Sequence, residues 1–538
     1  MKLTLNEVKT GNEWEKAGIA LPGYDSGEAA KRAMQAPQWV HFGIGNIFRG
    51  FLGGIADTLL ELGEMDRGLI CVETFDYDVV DQIYEPYDNL VLSVILHGDG
   101  RQERKVLGSL SEALKAQCED TRTWNRLKEI FRSESLQMVS FTITEKGYAL
   151  KHADGSFFPF AESDIENGPE HANGAMAVVT AMLWERYQAG RTPIALVSMD
   201  NCSKNGEKLQ ESVTVMAQEW LKRGFVDSGF LEYVQDKTKV SFPWTMIDKI
   251  TPRPGEKIAH ELEEAGVEDM QPVVTGKRTY IAPFVNAESA QYLVVEDDFP
   301  NGRPSLEKAG VYMTDRDTVN RSERMKVTVC LNPIHTALGP YGCMLGYDLF
   351  SDEMKDEDML ELARTVGYKE GMDVVEDPGI LSPKAFLDEC MNERFPNPYL
   401  GDTCLRLSTD SSQGLGVRFG ITIRSYVEKY GDAKRLIGIP LAIAGWLRYL
   451  LGVDDQGGTY ELAPDPMAEE MQKQLSDIVV GNPDSLKDQL RWILSNENVF
   501  YIDLYKAGIG TLIEDIFREE IQGTGAVRAT VQKYLKRR

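Results

Sequence analysis

The chain has 538 residues, 42% of them apolar and 26% charged, with a formal net charge of −26 at pH 7. That length exceeds what one hydrophobic core organises, so at least two domains are expected. The acidic balance repels nucleic-acid phosphates and anionic lipid at long range, no Lys/Arg cluster offsets it, and an anionic substrate would need a locally basic pocket.

The opening segment MKLTLNEVKTGNEWEK has no apolar core of signal-peptide length. The longest apolar stretch, Leu436 to Leu447, contains Pro440 and stops at Arg448, so neither export nor a membrane span is expected. From about residue 36 to 290, short apolar runs alternate with amphipathic helical stretches, the pattern of a largely parallel sheet covered by helices. The runs are QWVHF (38–42), GLICVE (68–73), QMVSFTIT (137–144), PIALVSMD (193–200) and VSFPWTMID (240–248). In such α/β sheets ligands bind at the carboxyl ends of the strands. Beyond Met325, helical patterns dominate: 358–375, 435–451, 467–480 and 527–535. The expected organisation is a Rossmann-type α/β domain over 1–315 and a mainly α-helical domain over 316–538.

Seven cysteines (Cys71, Cys118, Cys202, Cys330, Cys343, Cys390, Cys404) are odd in number, far apart and without a CxxC pair, so reduced thiols in a cytoplasm are expected. The six histidines include no pair at helical spacing with a nearby acid, so no metal is expected in the chemistry.

Gly43, Ile44, Gly45, Asn46, Ile47 and Phe48 follow the first run, and Phe48, Phe51, Leu52, Ile55, Leu59 and Leu60 then recur at helical spacing. A strand, a glycine turn and a helix in that order can bring a pyrophosphate to the amides of a helix N-terminus. Phe48 stands where the usual fingerprint has a third glycine, so an ordinary strand-to-helix turn is the competing reading. Glu73 closes the next run, 28 residues after Gly45, where a carboxylate accepts from ribose hydroxyls and repels a 2′-phosphate, which points to NAD over NADP. Asp76 and Asp78 are alternatives for that role.

Asn201 follows PIALVSMD, Asp248 ends VSFPWTMID, and the helical segment KVTVCLNPIH carries Lys326, Asn332 and His335. Each has a bland alternative: Asn201 as a helix cap, Asp248 as a surface partner of Lys249 or Arg253, His335 as a satisfied core histidine.

Taken in order, GIGNIFRGF (43–51), TITEKGY (142–148), SMDNCSKNG (198–206), IDKITP (247–252), VEDDFPNGRP (295–304), KVTVCLNPIH (326–335) and RLSTDSSQ (406–413) resemble the mannitol dehydrogenase family over nearly the whole chain. The resemblance implies a Rossmann domain, a helical domain and a substrate cleft between them. It implies Lys326 as general base and acid, Asn201 and Asn332 as donors to the reacting oxygen, and His335 holding the same oxygen or a neighbouring hydroxyl. A free lysine is mostly protonated near neutrality, so such a base needs burial and a cationic neighbour. Asp248 would orient lysine or substrate, Arg406 would pair with the far end of the substrate, and Thr144 and Glu145 would lie beside the cofactor.

Two departures from the family pattern bear on the site. Lys326 precedes His335 by nine positions, one more than usual, which on an ideal helix turns them nearly opposite. Pro333 removes one helical hydrogen bond and clashes with the carbonyl of Val329, so a local widening there is expected to absorb the extra residue. Gly414 stands where the family has a lysine, and Arg418 is expected to supply that charge. The implied reaction is NAD-dependent interconversion of D-fructuronate and D-mannonate, or a related ketouronate and aldonate. A mannitol or other polyol 2-dehydrogenase, and a non-catalytic NAD-binding sensor, are the alternatives.

Overall fold

The computed structural model describes residues 1–536. The chain divides into two compact units, Met1–Asn320 and Arg321–Arg538.

The first unit is built on six strands, β1 (Trp39–Phe42), β2 (Leu69–Glu73), β3 (Leu110–Lys115), β4 (Met138–Phe141), β5 (Ile194–Ser198) and β6 (Val240–Ser241). They lie in the order 3-2-1-4-5-6 with every pairing parallel. β1, β2, β4 and β5 are buried at every position, because helices cover both faces of the sheet. Val40 and Phe42 pack into a layer with Trp124, Phe131 and Trp220, while Trp39 faces the opposite layer with Phe48, Phe51 and Leu59. The strand order reverses between β1 and β4, so the connections leaving their carboxyl ends diverge and open a crevice there.

The helix after β1 begins as a π-helical turn, Phe48–Leu52, and continues as α1 (Gly53–Glu61). Phe48, Phe51, Leu52, Ile55, Leu59 and Leu60, expected on one helical face, are all buried.

One strand reading needs correction, and one strand was not foreseen. The run 240–248 is broken: after β6 the chain passes Pro243, and Thr245–Asp248 joins a separate three-stranded sheet with Tyr292–Glu296 and Tyr312–Thr314. Proline has no N–H for a ladder, which ends the pairing with β5. β3 (LSEALK) carries helix-favouring residues and no strand signal of its own, and its parallel pairing along β2 overrides that preference. The segment between β2 and β3 also contributes a hairpin, Val91–Leu96 with Gln102–Leu107, to a four-stranded sheet with Ile19–Ala20 and Phe284–Ala287.

Among the described residues the second unit contains helices and isolated β-bridges but no strand. The expected helix at 435–451 is realised as Gly438–Tyr449, buried along its whole length. Its N-terminus is capped from outside: the Glu370 carboxylate accepts from the backbone N–H groups of Ile437, Gly438 and Ile439 at 2.6, 2.7 and 2.9 Å. Among the described residues, no helix is long and apolar enough to cross a membrane.

Candidate active site

The turn at the carboxyl end of β1 needs its first glycine on two counts. Gly43 has φ +90°, and a Cβ there would lie 2.1 Å from the carbonyl oxygen of Thr142 at the end of β4. A Cβ on Gly45 would meet nothing within 4 Å, so the backbone at that point faces open space. Beneath the turn a buried polar chain fixes the geometry. Trp39 Nε1–H donates to Ser140 Oγ at 2.7 Å, and because the Gly43 carbonyl beside Nε2 can only accept, the imidazole proton sits on Nε2 and Nδ1 accepts from the Ser140 hydroxyl at 2.6 Å. His41 Nε2–H is then left to donate to Thr142 Oγ1 at 2.8 Å and to the Gly43 carbonyl at 3.1 Å. Burial pushes the His41 pKa down to about 3, so the ring is neutral. Phe48 stacks on that ring at 4.1 Å with an interplanar angle of 4°. The residue in place of the third glycine thus becomes the floor of the turn.

Glu73 is buried at the end of β2, and its Oε1 accepts from the backbone N–H groups of Thr74, Phe75 and Asp76 at 3.0, 2.8 and 3.2 Å. The carboxylate therefore anchors its own loop, a duty the sequence did not disclose. Burial raises its pKa while these backbone donors oppose the rise. The alternative acids are engaged elsewhere: Asp76 accepts from the Thr275 and Thr279 hydroxyls, and Asp78 from Gly276 N–H at 3.0 Å.

Across the crevice, Thr144 opens α2 (Thr144–Tyr148) with φ +64°, a conformation that strains a β-branched residue. Asp200 holds it there, accepting from Ile143 N–H at 3.0 Å, Thr144 N–H at 2.9 Å and the Tyr148 hydroxyl at 2.5 Å. Glu145 is exposed and paired with Lys208. Asn201 is exposed in the loop after β5 and does not cap the helix that follows, α3 (Asn205–Arg223), whose N-cap is Lys204. Asp248 is buried, not on the surface, and Arg253 lies over the Tyr280 ring at 3.7 Å.

In the second unit, Lys326 is buried with 2% of its surface exposed. The helix Arg316–Met325, α4, runs into a π-helical turn, Lys326–Cys330, closed by Leu331 N–H donating to the Lys326 carbonyl at 3.0 Å. Leu331 then breaks the helix (φ −120°, ψ −69°), and α5 (Asn332–Leu345) starts afresh with Pro333 in its first turn, where a missing N–H costs nothing. The widening anticipated near Val329 is present, but Pro333 does not cause it by the expected clash, because it opens the next helix and does not sit inside this one. Asn332 Oδ1 is a buried oxygen without a hydrogen-bond partner among the described residues. The His335 ring packs against Phe350 and Phe395, with centroids 5.0 and 4.9 Å away.

The two arginines differ sharply. Arg406, on α6 (Cys404–Leu407), is exposed and paired with Asp402. Arg418 sits in a π-helical turn, Gly416–Gly420, half-buried, and donates from Nη1 to Thr336 Oγ1 at 2.7 Å, next to His335 on α5. That is its sole hydrogen bond among the described residues, and it has no ion pair there. Burial lowers its pKa, an effect the more distant Asp410 opposes. Among the described residues no group of three or more His, Cys, Asp or Glu side chains is placed to hold a metal ion.

A parallel sheet in the order 3-2-1-4-5-6, with a glycine turn at its switch point, defines a dinucleotide-binding protein, here joined to a helical unit that carries a buried lysine. Residues 37–308 match the mannitol dehydrogenase Rossmann domain and residues 318–513 the mannitol dehydrogenase C-terminal domain. The chain belongs to the mannitol dehydrogenase family. It is 49% identical to a D-mannonate oxidoreductase of Thermotoga maritima, covering 100% of this chain and 99% of that one. The structure of a D-sorbitol dehydrogenase in substrate-free form is similar with a TM-score of 0.78 at 25% identity, covering 96% of this chain and 98% of that one. A Pseudomonas fluorescens mannitol 2-dehydrogenase in ternary complex with NAD and D-mannitol has a TM-score of 0.70 at 25% identity, each chain covered completely.

Asp200, Tyr148, His41 and Ser140 were not singled out in the sequence. Asp200 directly precedes Asn201 and ends a strand run, which is the one local signal it carries.

Proposed function

We propose that this protein is an NAD-dependent oxidoreductase that interconverts D-fructuronate and D-mannonate. The observation that carries the choice of a sugar acid over a polyol is Arg418, a half-buried guanidinium with one hydrogen bond and no carboxylate partner among the described residues. A substrate carboxylate would satisfy its remaining donors bidentately. The 49% identical relative named for D-mannonate supports the same reading.

The glycine turn, the neutral His41 beneath it and Glu73 fit a dinucleotide: the open backbone at Gly45 leaves room for the diphosphate, and Glu73 ends the strand beside which the adenosine ribose would lie. When bound, NAD accepts the hydride in oxidation, and NADH supplies it in reduction. Lys326 is proposed to take the hydroxyl proton in oxidation and return it in reduction, its burial keeping water from competing for that proton. Asn332, Asn201 and His335 are proposed to bond the reacting oxygen as charge develops on it. Asp248 is proposed to orient the lysine, Arg406 to act at the rim, and Thr144 and Glu145 to border the cofactor. The proposed setting is a reducing cytoplasm, in keeping with seven free cysteines.

Initial rates with D-mannonate, D-fructuronate, mannitol and fructose, followed through NADH absorbance, test the reading. The acids are expected to have the higher kcat/KM. Faster turnover of mannitol or fructose would establish the polyol alternative, and no turnover despite NADH binding would establish the sensor.

A further inference from the structure

We propose that Arg49 is the buried counter-charge of the cofactor diphosphate, acting on it through Asn46 and the turn Gly43–Ile47. The proposal rests on the dinucleotide reading above.

Arg49 lies one turn into the helix that leaves the glycine turn, its backbone N–H donating to the Gly45 carbonyl at 3.1 Å, and none of its surface is exposed. A guanidinium remains protonated even when buried, so this is a full positive charge in the interior. It has no carboxylate partner among the described residues. Nη2 donates to the Pro283 carbonyl at 2.9 Å, Nη1 reaches Asn46 Oδ1 at a long 3.4 Å, and Nε is buried with no partner. Its other close neighbour is the ring of Tyr84, 6.0 Å away, whose hydroxyl donates to the Ile44 carbonyl of the same turn at 2.7 Å.

Two other arginines of this chain show what a purely structural buried guanidinium looks like. Arg186 makes five bonds to the carbonyls of Phe131, Ser133, Leu136, Thr192 and Pro193, and Arg448 donates to those of Val453, Asp454 and Glu520. Each is enclosed by oxygen. Arg49 is not, and an uncompensated interior charge is among the costliest features a fold can retain. The side chain it reaches, Asn46, belongs to the turn with open space at Gly45, so an anion bound at that turn would supply the missing counter-charge. Through a low-dielectric interior its field adds to that of the helix N-terminus at that spot. A group bearing two adjacent negative charges fits there, and a neutral one gains nothing from it.

The test measures dissociation constants of NADH, by fluorescence, and of adenosine, by calorimetry, for the full-length protein and its variants. Arg49→Met is expected to weaken NADH at least about tenfold, while adenosine binds as before. Arg49→Lys is expected to restore most of the NADH affinity. Equal affinity for NADH in Arg49→Met and wild type, or equal losses for NADH and adenosine, would overturn the proposal. If Arg49→Met does not fold, Asn46→Ala decides: a loss confined to NADH supports the link, and unchanged NADH binding overturns it. Wild-type protein that binds no NADH refutes the dinucleotide reading instead.

Discussion

The guanidinium of Arg418 occupies the space that a side chain at position 414 would need: a Cβ on Gly414 would lie 2.9 Å from Arg418 Cζ and from Nε. The glycine thus makes room for a cation arriving from the next turn of the helix.

Arg418→Met is expected to lower kcat/KM for the sugar acid roughly ten- to a hundredfold, the worth of a hydrogen bond to a charged group, and to leave mannitol turnover unchanged. Gly414→Ala should act in the same direction by displacing the flexible end of Arg418. Parallel kinetics on mannonate and mannitol check both. An equal loss on both substrates would remove Arg418 from carboxylate recognition.

Lys326→Ala is expected to reduce turnover roughly a hundred- to ten-thousandfold, the usual contribution of a general acid and base, with NADH affinity nearly unchanged. Single-turnover rates beside NADH titration separate the two effects. Retained turnover would move the proton transfer to another group.

Glu73→Gln keeps an oxygen to accept from Thr74, Phe75 and Asp76 but removes the charge proposed to oppose a 2′-phosphate. The preference for NAD over NADP should fall by at least about tenfold, equivalent to about 1.4 kcal/mol, with thermal stability little changed. Ratios of kcat/KM for the two cofactors provide the check.

Thr144→Gly should not destabilise the fold, because relief of left-handed strain, about 1–3 kcal/mol, offsets the added backbone entropy of glycine. Asp200→Ala, which strips the acceptor from two backbone N–H groups and the Tyr148 hydroxyl, should cost more in the wild type than in the Thr144→Gly background. A double-mutant cycle of denaturant midpoints measures this, and additive effects would mean that Asp200 does not hold Thr144 in place.

His41 has its pKa depressed to about 3 in the folded state, against 6.5 for an unperturbed histidine. Above pH 6.5 both states are neutral and the full stability is present. As pH falls from 6.5 towards 3 the unfolded chain takes up a proton that the folded chain refuses, and stability declines by about 1.4 kcal/mol per pH unit from this group. Melting temperatures of wild type and His41→Phe across pH 4 to 7 should converge as pH falls. Parallel profiles would assign the acid sensitivity elsewhere.

The glycine turn, the alternating α/β pattern, the helical second half and the irregularity before Pro333 were legible in the chain itself. Each follows from a rule that acts over a few residues: a positive φ at Gly43, apolar spacing with the period of a helix, the preference of a proline such as Pro333 for the first turn of a new helix. Burial and pairing across long sequence separations decided the rest. LSEALK becomes a strand because β2 lies beside it, and VSFPWTMID divides between two sheets at Pro243. Glu73 turns inward onto its own loop, Asp200 reaches back 56 residues to Thr144, and Gly414 yields its space to Arg418. Arg49 stands in plain view within GIGNIFRGF, yet its lack of a counter-charge exists only once Pro283, Tyr84 and Asn46 have closed around it, because desolvation and partnership are set by the surroundings of a side chain and not by its neighbours in sequence.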